Sequence, residues 1–165
     1  MGMIRQLGPP TLFCTFSMAE TQWTPLIRTL FTVLKQQHIT NEAAATLSKL
    51  EKLGLIKADP STCAQYYHHK HRELIKVLKS PDGPFGEHHV EHFSCRKEAQ
   101  QRGSTHNHDL YWNKNGPVFD KDNPESIKRC EEFIDKFITC KKDETLGDLM
   151  NVQYHKHTHT CYKKV

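Results

Sequence analysis

Arg96-Lys-Glu-Ala-Gln-Gln-Arg-Gly-Ser-Thr-His-Asn-His-Asp-Leu-Tyr-Trp112 contains two extended runs separated by a turn signal at Arg102-Gly103. These runs predict two strands of an antiparallel hairpin. His106 and His108 are two positions apart on the second strand, so their side chains project from one face, roughly 7 Å apart at the backbone. Two imidazoles at that spacing indicate a candidate site for a divalent metal ion.

The length of the turn decides which side chains complete this candidate site. If Gln101-Arg102-Gly103 forms a three-residue loop with glycine in the left-handed conformation, His106 faces Glu98. A two-residue loop would instead bring Ala99 and Lys97 opposite the histidines, and the charge of Lys97 would repel a cation. The sequence leaves both registers open.

The three-residue loop favours a metal site with four possible ligands on one face, namely Glu98, Gln100, His106 and His108. Two imidazoles, a carboxylate and an amide oxygen suit Mn²⁺, whereas Mg²⁺ is a poorer partner for nitrogen ligands. Such an ion is a Lewis acid that would polarise a phosphodiester, so the predicted substrate is a nucleic acid. The alternative is a surface or hydrogen-bonded pair of histidines, which is the usual role of an isolated His-x-His on a strand.

The composition predicts one domain with no membrane segment. The chain has 165 residues, of which 36% are hydrophobic and 25% charged, as in ordinary globular proteins. No apolar run approaches the ~20 residues of a bilayer span, and the opening segment does not match a secretory signal, so we expect a nuclear or otherwise intracellular protein. The six cysteines form no Cys-x-x-Cys pair, and the net charge of +4 permits a phosphate-bearing partner.

The rest of the chain predicts helices around a sheet, and therefore an α+β fold. Thr11 to Ser17 alternates and is rich in aromatic and β-branched residues, which predicts a further strand. N-terminal caps, prolines at the first helical position and apolar spacing predict four helices. They are expected at 24–37, from Asn41 to Lys52 with closure at Gly54, at 60–79, and from 124 to at least 137.

Several motifs resemble one family. Arg96-x-Glu98-x-Gln100-x-Arg102-Gly103-Ser-x-His106-x-His108 resembles the motif of the helicase-like N-terminal (Rep) domain of Helitron transposases, members of the HUH endonuclease group. Segments 10–23, 55–60, 116–119, 133–140 and 153–161 resemble further parts of that domain in the same order. The similarity covers about residues 7 to 164, and it divides the chain into a Helitron helicase-like domain at 1–150 and a basic His/Cys tail at 151–165.

The resemblance implies an HUH/Rep-like, RRM-related core, which is a mostly antiparallel sheet with flanking helices and the histidines on a central strand. It also implies binding of single-stranded DNA and of a divalent metal, Mn or Mg, that positions the scissile phosphate for attack by a tyrosine. The helicase of the full-length family protein is a separate, later domain. Arg102, Lys70 and Arg72 are the DNA-binding residues that we predict.

The chain departs from the family's pattern between the histidines and at its end. Asn107 stands where the family has an apolar residue, and it would face the core, where an amide without partners costs about 1–3 kcal/mol. The family's nucleophilic tyrosines lie beyond the His/Cys segment, and the sequence ends at Val165, so we expect a truncated domain without a catalytic residue. Tyr66 and Tyr67 are expected in the core, and Tyr111 on the opposite face from the histidines. The alternative function is a non-catalytic nucleic-acid-binding remnant of a transposon.

The tail contains a second possible metal site. His155, His157 and Cys161 are plausible zinc ligands, and they match the start of the family's His/Cys segment. A closed structural zinc site takes four ligands, for which His159 is the available fourth. A solvated, histidine-rich tail is the alternative.

Overall fold

The computed structural model describes residues 2–99 and 104–138, together with Gly147. Within these residues the chain has the predicted α+β fold, with a three-stranded antiparallel sheet flanked by helices. The strands are β1 (Leu12–Ser17), β2 (Val90–Ala99) and β3 (Thr105–Asn113). The helices are α1 (Gly2–Leu7), α2 (Thr24–Lys35), α3 (Asn41–Thr46), α4 (Lys49–Ala58), α5 (Pro60–Lys79) and α6 (Pro124–Phe137). This arrangement is compatible with an HUH/Rep-like core.

The strand order is β1-β3-β2, so both histidines lie on the central strand. β3 pairs antiparallel with each neighbour, and Glu98 pairs with His106 while Arg96 pairs with His108. This is the register expected of a three-residue connection, and the two-residue alternative that would bring Lys97 opposite a histidine is wrong. Residues 100–103 themselves are outside the described part of the chain.

Alternation along the strands gives the sheet a core face and an open face. α5 covers the core face, where its Ile75 and Leu78 pack with Leu12 and Tyr111. Asn107 lies on this face and is completely buried, as its position between the histidines predicts. The histidines project from the opposite, open face, which the described helices leave partly exposed.

α5 is the long helix that links the sheet to the rest of the core. Its first turn is fixed by Asp59, whose carboxylate accepts hydrogen bonds from the backbone N–H and the hydroxyl of Thr62, at 2.9 and 2.6 Å. Its buried residues recur at helical spacing along one stripe. They are Cys63, Tyr67, His71, Ile75 and Leu78. The N-terminal end of this stripe packs in a second cluster with α2 and α4.

The predicted single helix from Asn41 to Lys52 is wrong. The first helix ends at Thr46, and a second helix begins with Ser48 as its N-cap. Ser48 Oγ accepts from the backbone N–H of Glu51, and Glu51 Oε2 accepts from the backbone N–H of Ser48. This reciprocal capping stabilises a helix start after the alanine-rich run, and Gly54 becomes a helical residue instead of a terminator.

Two further boundaries differ from the sequence-based expectation. Residues 2–7 form the short helix α1, although Pro9 and Pro10 predict an irregular start to the chain. The breaker cluster at 80–84 predicts an extended segment over 86–100, but the strand begins only at Val90, because Gly86–His88 forms a 3₁₀ turn. None of the helices in the described ranges has the length and apolar character needed to cross a bilayer.

The buried amide of Asn107 generates a stability prediction. Neither of its side-chain polar atoms has a hydrogen-bond partner among the described residues. Asn107→Leu, which is similar in size, should therefore raise the free energy of unfolding by about 1–3 kcal/mol in urea denaturation.

Asn113→Leu is the matched control for this prediction. Asn113 is also buried on β3, but its Nδ2 donates to the carbonyl oxygen of His88 at 2.8 Å. Its replacement should lower stability by about 1 kcal/mol or more. Equal losses in both variants would contradict an unsatisfied amide at position 107.

Candidate functional site

The two histidines face each other on the open side of β3. Their ring centroids are 4.6 Å apart, with an angle of 71° between the rings. His106 Nδ1 forms a hydrogen bond of 2.8 Å with Ser17 Oγ, on the paired residue of β1. This bond occupies one nitrogen of His106 and leaves Nε2 for another partner.

His108 is held between an aromatic ring and a carboxylate. Its ring stacks on Phe13 with centroids 5.7 Å apart and an interplanar angle of 10°. Its Nε2 lies 3.2 Å from Glu98 Oε2, and Arg96 Nε lies 3.4 Å from Glu98 Oε1. Its Nδ1 is buried without a hydrogen-bond partner among the described residues.

Glu98, His106 and His108 are thus brought together, and their two imidazoles and one carboxylate suit a divalent ion such as Mn²⁺. His106 Nε2 and His108 Nδ1 have no hydrogen-bond partner among the described residues, and imidazole nitrogens without a partner fit a metal. In the described part of the chain, however, these three residues do not have their ligand atoms within 4.8 Å of one another. Gln100, the fourth predicted ligand, is outside the described residues.

The predicted DNA-binding residues are not brought to this site. Lys70 and Arg72 are exposed on α5, which packs on the opposite face of the sheet from the histidines. Arg102 is outside the described residues. Two open-face residues escaped the sequence-based prediction, namely Phe13 and Arg96. Alternation along β1 and the pairing of Arg96 with His108 are the signals that could have identified them.

The comparison with known families rests on the same strands. The family model described as "Helitron helicase-like domain at N-terminus" matches residues 1–111. The chain belongs to this family. The match includes β1, β2 and most of β3, and with them both histidines of this Helitron domain. No curated protein and no solved structure is significantly similar to the chain.

The tyrosines in the described part of this Helitron domain pack in or against the hydrophobic core. Tyr67 Oη donates to the carbonyl oxygen of Phe16 at 2.9 Å, and burial followed by the charge of Asp109 raises the pKa of Tyr67 to about 12. Tyr111 is buried on the core face, and burial, with its hydrogen bond to Asp109, raises its pKa as well. Tyr66 packs against Trp23. The expectations that Tyr67 packs in the core and that Tyr111 lies on the face opposite the histidines are confirmed, and neither hydroxyl is available as a nucleophile.

A buried polar cluster on the core face was missed by the sequence-based prediction. Asp109 is completely buried, and its Oδ2 lies 2.5 Å from His71 Nε2 and accepts from Tyr111 Oη at 2.8 Å. Cys95 is the strand partner of Asp109, and burial, together with a hydrogen bond to that carboxylate, raises the pKa of its thiol to about 12. His71, Cys95 and Asp109 have ligand atoms within 4.8 Å of one another. His155, His157 and Cys161, the predicted tail ligands, lie outside the described residues.

The hydrogen bond from Tyr111 to Asp109 generates a second stability prediction. Tyr111→Phe removes a hydrogen-bond donor from a fully buried carboxylate, so it should lower the free energy of unfolding by about 1–3 kcal/mol. Tyr66→Phe is the matched control, because the hydroxyl of Tyr66 makes no hydrogen bond within the described residues. Urea denaturation of both variants checks the difference, and equal stabilities would contradict a structural role for the Tyr111 hydroxyl.

Proposed function

We propose that this Helitron domain binds single-stranded DNA on the open face of its sheet, together with a divalent metal ion. It would act as the DNA-holding part of an HUH-type endonuclease of rolling-circle replication and transposition. The observation that carries the proposal is the register that sets Glu98 opposite His106 on a central strand, with His108 beside them. A DNA substrate implies a nuclear or otherwise intracellular site of action.

Glu98, His106 and His108 are the residues that would hold the ion. When bound, the ion would supply a Lewis acid that polarises a phosphodiester and orients it. The hydrogen bond between Ser17 Oγ and Nδ1 holds the ring of His106 in place and leaves Nε2 available for the ion. Glu98 contacts His108, and an outer contact to Arg96 orients its carboxylate.

The open face also offers groups that suit a single strand. Phe13 is 63% exposed in spite of its stacking on His108, so a base can stack on its free surface. Arg96 is exposed beside the histidines and can pair with a phosphate. An exposed aromatic ring and a cation on the same face as the candidate metal ligands support DNA as the substrate.

The proposal assigns no nucleophile. Tyr67 and Tyr111 are engaged in the core, and Tyr66 belongs to α5 on the other side of the sheet. Strand cleavage would therefore depend on a group outside the described residues. A helicase domain of a full-length family protein would be the partner that supplies single-stranded DNA.

A second candidate function is a non-catalytic nucleic-acid-binding remnant. The observation in its favour is the exposed basic surface of α5, which includes Lys70, Arg72 and Lys76 and lies away from the histidines. Binding there would depend on salt and would not require a metal. The two candidates therefore differ in their response to EDTA.

Metal binding at the histidines is tested by titrating Mn²⁺ and following the free ion by electron paramagnetic resonance. The His106→Ala/His108→Ala double variant should bind at least roughly tenfold more weakly, because loss of an outer-shell partner alone has an effect of that size. His92→Ala is the matched control, since His92 is exposed on β2 and belongs to no candidate site. An unchanged titration in the double variant would rule out this metal site.

DNA binding on the open face is tested by fluorescence anisotropy with a labelled single-stranded oligonucleotide in Mn²⁺. Phe13→Ala should weaken binding by about 1–3 kcal/mol, or roughly 5- to 150-fold, because it removes a stacking surface. Val33→Ala, which truncates an exposed apolar residue of α2, should change little. If EDTA has no effect and Lys70→Ala/Arg72→Ala weakens binding while Phe13→Ala does not, the remnant function replaces the proposal.

A further inference from the structure

We propose that His71, Cys95 and Asp109 form a binding site for Zn²⁺ on the core face of the sheet. The site does not depend on the proposed function, because it lies on the opposite face of the sheet from His106 and His108. It joins three elements that are distant in sequence, since His71 comes from α5, Cys95 from β2 and Asp109 from β3.

The backbone brings the three side chains together. Cys95 and Asp109 are direct partners in the β2-β3 ladder, so they project from the same face of the sheet. His71 belongs to the buried stripe of α5, which packs on that face. The three ligand atoms lie within 4.8 Å of one another, close enough to share one ion after small side-chain movements.

Asp109 supplies the independent observation that points to a cation. Its side chain is completely buried, and Oδ1 has no hydrogen-bond partner among the described residues. A buried carboxylate with an unpartnered oxygen is unfavourable, and a cation at that oxygen would remove the defect. Oδ2 would keep its hydrogen bond from Tyr111, which orients the carboxylate in the manner of an outer-shell partner.

The donor set selects the class of metal. One imidazole, one thiolate and one carboxylate match the nitrogen, sulfur and oxygen ligands of zinc, whereas Mg²⁺ and Ca²⁺ require oxygen ligands. The fourth position of the ion is available to water. His71 Nε2 now lies 2.5 Å from Asp109 Oδ2, in a hydrogen bond that Nε2 must give up in order to ligate the metal. The metal would thus replace the hydrogen bond between these side chains.

Metal binding displaces protons that are present in the metal-free cluster. Cys95 must lose its thiol proton to solvent before its sulfur can ligate the ion. The proton between His71 and Asp109 must leave Nε2 as well, either to Nδ1 of the same ring or to solvent. Zinc binding should therefore release protons and weaken as the pH falls.

The cluster has a path to solvent between α5 and β2. His71 and Cys95 line a cavity of about 280 Å³, whose walls also include Arg72, Lys76 and Lys97. These cationic side chains are exposed and screened by solvent, whereas the carboxylate of Asp109 is buried in direct reach of the metal position. The attraction of a metal cation to Asp109 therefore outweighs its repulsion by the three cationic side chains at the entrance of the cavity.

Co²⁺ substitution of the full chain tests the site, because a thiolate ligand gives cobalt a charge-transfer band in the near ultraviolet. The chain should carry His155→Ala, His157→Ala and Cys161→Ser, so that the tail cannot contribute a site. We expect a thiolate band that saturates with one equivalent of Co²⁺ and disappears when Zn²⁺ is added. Cys95→Ser should abolish the band, and Asp109→Asn should weaken metal binding at least roughly tenfold.

Two matched controls should retain the band, namely Cys130→Ser, which removes a half-buried thiol of α6, and His106→Ala/His108→Ala. X-ray absorption of the zinc-loaded chain is a second measurement that needs no change at the cluster, and it should find sulfur together with nitrogen or oxygen around zinc. The absence of a thiolate band, a band that survives Cys95→Ser, or a zinc shell without sulfur would overturn the proposal. Circular dichroism confirms that each variant is folded.

Discussion

The pairing of Glu98 with His106 is the constraint on which the open-face site depends. Side chains alternate between the faces of a strand, so a shift of one residue would turn Glu98 to the core and bring Lys97 opposite a histidine. The same register brings Arg96 opposite His108 and Cys95 opposite Asp109. One choice of hairpin register therefore decides the charges on the open face and the polar cluster on the core face.

β3 carries two different chemistries because it is the central strand. Its open face presents the imidazoles, whereas its core face buries Asn107, Asp109 and Tyr111. Hydrogen bonds from His71 and Tyr111 compensate part of the penalty for burying Asp109, and nothing in the described chain compensates Asn107. The sheet is thus stabilised by its contacts with α5 and weakened at Asn107, between the two histidines.

Sequence reasoning found the strands and the burial of Asn107, because strand periodicity and turn length are local signals. The central position of the histidines followed from the resemblance to the Helitron domain. Sequence reasoning missed the break at Ser48, although Ser48-x-x-Glu51 was a readable capping signal. It could not find the cluster of His71, Cys95 and Asp109, because the cluster depends on how α5 packs on the sheet in the tertiary structure. It predicted Lys70 and Arg72 as DNA-binding residues but could not place them relative to the histidines, because the side of the sheet that α5 covers cannot be read from the pattern of α5 alone.

The buried contacts of Asp109 bear on the open face through the backbone of β3. Asp109 directly follows His108, and its link to His71 fastens this part of the strand to α5. A metal-ligand side chain on a strand keeps its position only when contacts on the other face of the sheet fix the backbone. Small backbone shifts would otherwise move the side chain out of its binding geometry. The polar cluster therefore gives β3 a rigid support that an apolar contact of the same size would not provide. The reason is that hydrogen bonds fix direction as well as distance. An ion bound by the cluster would strengthen that support from the face of the sheet opposite the histidines.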